Sequence, residues 1–133
     1  MTDKRPPPVI TELTEAFWRG GAVGELRVQR CQNCRWWLHP PLPMCPRCRS
    51  RELEPEAVAG TGTVYSFTVN RYQWTPALVP PYTIAEVELD EQPGLRLLTS
   101  IVGCAEVAIG MPVRVRFEPA DGTPGTWVPV FAP

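Results

Sequence analysis

Hydrophobic and polar positions along this chain change period twice. From Thr11 to Arg19, in TELTEAFWR, Leu13, Ala16 and Phe17 fall at i, i+3 and i+4, which predicts one face of a short helix ended by Gly20 and Gly21. So short a helix does not stand alone in water, so Phe17 and Trp18 must dock on the rest of the chain or on a partner. At ELRVQR the period becomes two: Leu26 and Val28 alternate with Arg27 and Gln29, a half-buried strand running into a pair of cysteines. The polar stretch after Cys48 offers Leu53 and Val58 as the few residues able to return to that small sheet. Beyond Gly60 and Gly62 alternation dominates, and strands are predicted at 63–71, 82–89, 95–102, 113–117 and 127–131.

Five short strands joined by turns, with no long helix among them, suggest a small closed barrel of the OB type, because closure removes the pairing edges that an open sheet of this size would expose. The 17 prolines and 10 glycines among 133 residues point the same way, towards short strands and many turns. No run reaches the ~20 apolar residues of a membrane helix and the first ten residues lack a secretory hydrophobic segment, so a cytoplasmic protein without a membrane partner is expected.

The strongest chemical signal lies in CQNCRWWLHPPLPMCPRC, where Cys31, Cys34, Cys45 and Cys48 form two CxxC pairs ten residues apart. Each pair can make a knuckle that aims two sulfurs inward. Four thiolates suit a tetrahedral zinc ion, and a rubredoxin-like iron site uses similar pairs. Four thiolates leave no coordination position for water or substrate, so the metal is read as a structural Zn2+ that offsets the chain entropy of a module too small to bury a core. Around it, His39 is read as a ribbon-surface residue, and Trp36 and Trp37 as packing over the metal. The organisation expected is a flexible arm at 1–10, a helix and rubredoxin-like zinc ribbon at 11–59, and a five-stranded OB-fold barrel at 60–133: a mainly β chain.

There is no glycine-rich phosphate loop, no HExxH, no GxSxG, and no histidine outside the ribbon. The fifth cysteine, Cys104, is read as a buried, inert thiol, and Glu86 and Glu88, two apart on one strand, as the solvated side of a sheet. Self-contained acid–base catalysis is not expected. Arg27, Arg30, Arg35, Arg47, Arg49 and Arg51 occupy one acid-free window from 27 to 51, and with Trp36, Trp37 and Trp74 they would make a single-stranded nucleic-acid surface. Against that alternative stand the net charge of -1 and the acidic residues of the barrel strands.

The segments FWRGGAVGEL, LRVQRCQNC, PPLPMCPRC, GTGTVYSFTV, PPYTIAEVEL and LLTSIVGC…IGMPVRVRF together resemble the DUF35 family, zinc-ribbon plus OB-fold proteins, from about residue 11 to the end, with all four metal ligands present. The resemblance implies an accessory subunit of a thiolase-fold or aldolase enzyme acting on coenzyme A thioesters, for example in steroid side-chain or aromatic degradation. It also implies a heterotetramer of two such chains on an enzyme dimer, with the catalytic residues in the partner. In such a complex the barrel and its loops would help form the acyl-CoA channel or the partner interface. The residues suited to that role are Arg71, Tyr72 and Trp74 in the loop NRYQWTPALVPP, Tyr82 after it, and Phe17 and Trp18 of the helix.

Overall fold

The computed structural model describes residues 7–120 and 123–133; the first six residues of the expected arm lie outside them. The element order is α1 (Glu15–Arg19), a 3-10 turn (Gly20–Val23), β1 (Leu26–Cys31), β2 (Trp37–Leu38), β3 (Leu53–Val58), β4 (Thr61–Asn70), β5 (Tyr82–Leu89), β6 (Arg96–Ile101), β7 (Pro112–Pro119) and β8 (Trp127–Ala132). The first three strands form an antiparallel sheet in the order β2-β1-β3. The other five close into a barrel in the order β4-β5-β6-β8-β7, the OB-fold arrangement that the alternating pattern predicts.

The helix differs from expectation at both ends. Residues 12–14 form a turn, with the Thr14 N–H donating to the Thr11 carbonyl at 3.1 Å, and helical structure begins only at Glu15. Gly20 and Gly21 do not stop it; the chain tightens into the 3-10 turn and is ended by Gly24 at φ 72°. The two glycines serve close approach instead. A Cβ on Gly20 would lie 2.2 Å from the Glu25 carbonyl oxygen, and one on Gly21 2.3 Å from the Trp127 Cβ. The turn is thereby pressed onto the barrel, and the aromatic pair of α1 docks on its own chain.

In the small sheet, β3 carries Pro55 opposite Gln29. Proline is tolerated there because β3 is an edge strand, where a missing N–H faces solvent. Leu26 and Val28 of β1 and Trp37 of β2 are buried in one continuous cluster with Val64, Val87, Leu97 and Phe131 of the barrel. The two sheets therefore share a core, which a ribbon of this size could not build for itself. They are also clipped together by polar groups. The buried Gln92 side chain accepts the Trp37 N–H at 2.9 Å and donates to the Trp37 carbonyl at 3.0 Å, and Glu91 accepts the Ala59 N–H at 2.8 Å.

Barrel register follows from alternation. In β5, Ala85, Val87 and Leu89 face inward between the half-buried Ile84, Glu86 and Glu88. A bulge between Val64 and Ser66 shifts the β4–β5 pairing and pushes Tyr65 outward, where the Arg96 guanidinium lies 3.5 Å from its ring centroid. Arg96 also reaches Glu88 at 3.5 Å, so this acidic face is partly internally compensated. Among the described residues no helix is long and apolar enough to cross a membrane.

Candidate metal centre and the barrel-end surface

The four cysteines converge from two knuckles built alike. Cys31 ends β1, and the Arg35 N–H returns to its carbonyl at 2.9 Å; fourteen residues on, the Arg49 N–H returns to the Cys45 carbonyl at the same distance. The Cys31 N–H donates to the Trp36 carbonyl and the Cys45 N–H to that of Ser50, both at 2.9 Å. Both knuckles place an arginine in the left-handed region, Arg35 at φ 67° and Arg49 at φ 63°. That conformation costs a side-chain-bearing residue about 1–2 kcal/mol, and is held here by the hydrogen bonds that close each turn.

The sulfurs of Cys31 and Cys48 lie 3.5 Å apart, those of Cys34 and Cys45 3.6 Å, and all four fall within 4.8 Å of one another. A zinc ion with bonds of ~2.3 Å to four thiolates spaces them by about 3.8 Å along a tetrahedral edge, so the residues present fit the ion. Their ionisation fits as well. Cys48 is drawn down to about 6, first by the Asn33 side-chain amide and next by the Ser50 N–H. Cys45 is lowered chiefly by the Cys48 N–H. Cys34 feels a downward pull from the Trp36 N–H but is held up near 11 by desolvation and by the other three sulfurs. Sulfurs so close resist ionising together until a cation lies among them. Cys31 and Cys45 are fully buried, and four thiolates complete the coordination.

The surroundings correct two expectations. His39 is not a surface residue of the ribbon: it lies half-buried against Phe17, ring centroids 5.1 Å apart, and burial lowers its pKa to about 4. Cys104 is exposed rather than buried, because Gly103 at φ 77° turns the chain outward just beyond the buried Ile101. Trp37 is buried beneath the Arg30 guanidinium at 4.4 Å, while the half-buried Trp36 carries Arg47 at 4.1 Å. Glu56 takes Arg35 at 3.1 Å and Arg30 at 3.5 Å, and its carboxyl is held low, first by the Gln32 amide and then by Arg35. Arg27 pairs with Glu25 at 2.9 Å. Half of the arginine window is thus engaged with carboxylates of its own chain.

The remaining candidates separate into two places. Phe17 and Trp18, T-stacked at 4.8 Å, edge an apolar cavity of about 240 Å3 between α1 and strands β6 and β8, and Phe17 packs against the shared core. Arg71, Tyr72, Trp74 and Tyr82 gather at the barrel end, where β4 stops and β5 begins. Tyr72 and Trp74 are 64% and 74% exposed, with ring centroids 4.6 Å apart. Asn70 braces both, donating to the Tyr72 carbonyl and accepting the Trp74 indole N–H at 3.2 Å. Arg71 and Tyr82 line a cleft of about 510 Å3 floored by Val69, Thr83 and Ile101 and walled by residues 102–105. Sequence reasoning did not anticipate that wall, since only the turn at Gly103 brings it across from Arg71.

Comparison with known proteins agrees with this architecture. Residues 18–54 match the family model described as the rubredoxin-like zinc ribbon domain of ChsH2, and residues 55–118 that described as the ChsH2 C-terminal OB-fold domain. The chain is 43% identical over 132 residues to a probable enoyl-CoA hydratase alpha subunit of Thermomonospora curvata, covering 97% of this chain and 40% of that protein. It is 40% identical over 112 residues to the 3-oxo-4,17-pregnadiene-20-carboxyl-CoA hydratase alpha subunit of Mycobacterium tuberculosis, covering 83% of this chain and 35% of that protein. It thus spans well under half the length of these two relatives. A solved structure described as the Ltp2-ChsH2(DUF35) aldolase contains a chain that superposes with a TM-score of 0.84 at 40% identity, covering 95% of this chain and 98% of that one.

Proposed function

The chain belongs to the DUF35 family, as a zinc ribbon joined to an OB-fold barrel, and from that premise we propose that it is the non-catalytic, metal-stapled subunit of an acyl-CoA enzyme complex. Its partner is a thiolase-fold enzyme or aldolase, and the substrate of the complex is a coenzyme A thioester with a bulky acyl group of the steroid or aromatic kind. Two such chains flank an enzyme dimer.

The observation that carries this reading is the near full-length match to a chain of an aldolase complex. Two relatives named as alpha subunits of CoA-ester hydratases support the same class of substrate. The chemistry of the chain agrees. Zinc held by four thiolates supplies structure and no open position for substrate, so the ribbon fixes surfaces rather than reacting. Phe17 and Trp18 edge a cavity against their own barrel, and the surface assigned to the partner is the loop 70–81 with its exposed Tyr72 and Trp74. Its aromatic pair and arginine are the residue types that most often anchor interfaces.

Affinity capture of the tagged chain from its own cells tests the proposal. We expect a stoichiometric acyl-CoA enzyme subunit whose activity depends on this chain. Recovery of the chain alone, or with an unrelated partner, would overturn it.

A further inference from the structure

We propose that the groove between the zinc ribbon and the β5–β6 turn is a docking surface for an acidic, leucine-bearing segment of a protein, with Trp36 and Leu42 at its apolar centre and Arg47 at its rim. This goes beyond the accessory reading, which assigns the enzyme subunit to loop 70–81 at the other end of β5.

The groove holds about 280 Å3 between Trp36, Pro40, Leu42 and Pro46 of the ribbon and Pro93 and Leu95 of the barrel. Leu42 is 39% exposed, yet its backbone is fixed: the Gln29 side chain accepts its N–H at 2.7 Å and donates to its carbonyl at 2.8 Å. Prolines on both walls have little backbone freedom left to lose. A surface ordered before its partner arrives gives up less entropy on binding. Loop 70–81 precedes β5 and Pro93 follows it, so a strand of 8 residues, about 25 Å long, separates the two surfaces.

The ribbon's cations decide what the segment must carry. Arg27, Arg30 and Arg35 are engaged with Glu25 and Glu56. Arg47, Arg49 and Arg51, exposed at alternate positions in and just after the second knuckle, have no carboxylate within ion-pair distance among the described residues. Arg47 lies flat over Trp36 at 4.1 Å. A guanidinium stacked in this way keeps its N–H groups in its own plane, free to take a carboxylate in bidentate fashion. An apolar centre with a tryptophan, rimmed by arginine, is the anatomy of a protein–protein interface. A nucleic acid would instead need aromatic faces open to its bases, and both tryptophans of the ribbon already carry an arginine on the ring.

Fluorescence anisotropy tests the surface, with the zinc-loaded full chain and a labelled amphipathic peptide of leucine and glutamate. The same peptide with glutamine or with lysine in place of glutamate, and a single-stranded RNA, are the comparisons. We expect saturable binding of the glutamate peptide that weakens with added salt, and about tenfold weaker binding of the other three. Leu42→Ser and Arg47→Gln should each weaken the glutamate peptide about fivefold with the fold intact by circular dichroism, while Trp74→Ala on loop 70–81 leaves it unchanged. Equal binding of the glutamine peptide would show that the arginines take no part and overturn the proposal, as would equal or tighter binding of RNA, no binding of any peptide, or unaltered affinity in both groove variants. If the chain captures its enzyme subunit yet binds no glutamate peptide, this surface falls and the accessory role stands; if it binds the peptide through Leu42 and Arg47 but captures no enzyme, the accessory role falls instead.

Discussion

The Gln92 side-chain amide is paired with the Trp37 backbone through both of its polar atoms, at 2.9 and 3.0 Å. One residue of the barrel thus completes the outer edge of the ribbon sheet as a neighbouring strand would. The two bonds are buried and span the two sheets, so their loss strands a donor and an acceptor in the shared core. We expect Gln92→Leu to cost about 2–4 kcal/mol, since each buried group left unpaired costs ~1–3 kcal/mol. Hydrogen exchange at the Trp37 amide should accelerate more than thermal unfolding alone explains. A variant as stable as the parent would show that the clip carries no coupling.

Metal and barrel are linked through the same contacts. Leu26, Val28 and Trp37 lie in the barrel core yet are placed by strands that the four cysteines tie together. Metal analysis should find one zinc per chain, and the absence of visible absorbance would separate zinc from an iron–thiolate site. Chelation should lower the melting temperature of the whole protein rather than release a separate early transition from the ribbon. Two well-resolved transitions, with the barrel unchanged, would contradict the shared core.

His39 gives the fold a definite pH response. Its folded pKa, lowered to about 4 by burial, lies below the ordinary value of 6.5, so the unfolded chain takes up the proton first as pH falls. The neutral ring's contribution is therefore fully present above pH 6.5 and is lost progressively down to pH 4. At ~1.4 kcal/mol per pH unit the loss is at most about 3 kcal/mol. Denaturant titrations at pH 7 and pH 5 should show it, and His39→Phe, which keeps a ring against Phe17, should flatten the difference. An identical slope in the variant would assign the pH response to other groups.

Close approach at the 3-10 turn makes Gly21 a sharp steric test. A Cβ there meets Trp127 Cβ at 2.3 Å and Phe117 Cδ1 at 2.9 Å, both on half-buried side chains, and the Trp127 Cβ is fixed to its backbone. Gly21→Ala should destabilise the protein by about 1–3 kcal/mol, the usual range for overpacking, although alanine is the better helix former. The exposed neighbour supplies the control: Ala22→Ser should be near neutral. Equal melting temperatures for all three proteins would show that the turn is not seated on the barrel.

These outcomes mark what local pattern reveals and what it hides. The barrel strands are legible because each carries several alternating residues with one face buried, as Ala85, Val87 and Leu89 do in β5. The cysteine cluster is legible because a CxxC spacing sets its geometry within one turn. β2 is too short to alternate, and β3, with Glu54, Pro55 and Glu56 at its centre, is an edge strand whose pairing partner carries the signal instead. Gln92, His39 and Cys104 could not be placed, because their surroundings come from remote segments: β2 for Gln92, α1 for His39, and for Cys104 a turn that leaves the barrel. Gly20 and Gly21 read locally as helix breakers, and only the distant Trp127 explains the second.

Trp74 separates stability from assembly. It is 74% exposed, and its contacts are the Tyr72 ring and the Asn70 side chain of its own loop, so Trp74→Ala should change the stability of the isolated chain by less than about 0.5 kcal/mol. A buried aromatic anchor of an interface costs at least ~2 kcal/mol on truncation, roughly thirtyfold in affinity. If loop 70–81 is the surface that meets the enzyme subunit, Trp74→Ala should weaken the complex to that extent, mostly through faster dissociation. Asn70→Ala should weaken it less, because the indole stays but loses its brace. Because the loop stands beside the cleft, the same variants should be assayed with coenzyme A absent and present. Weakening in both conditions places the tryptophan against the partner protein; weakening only with coenzyme A places it against the coenzyme. Unchanged assembly in both would move the interface off this loop.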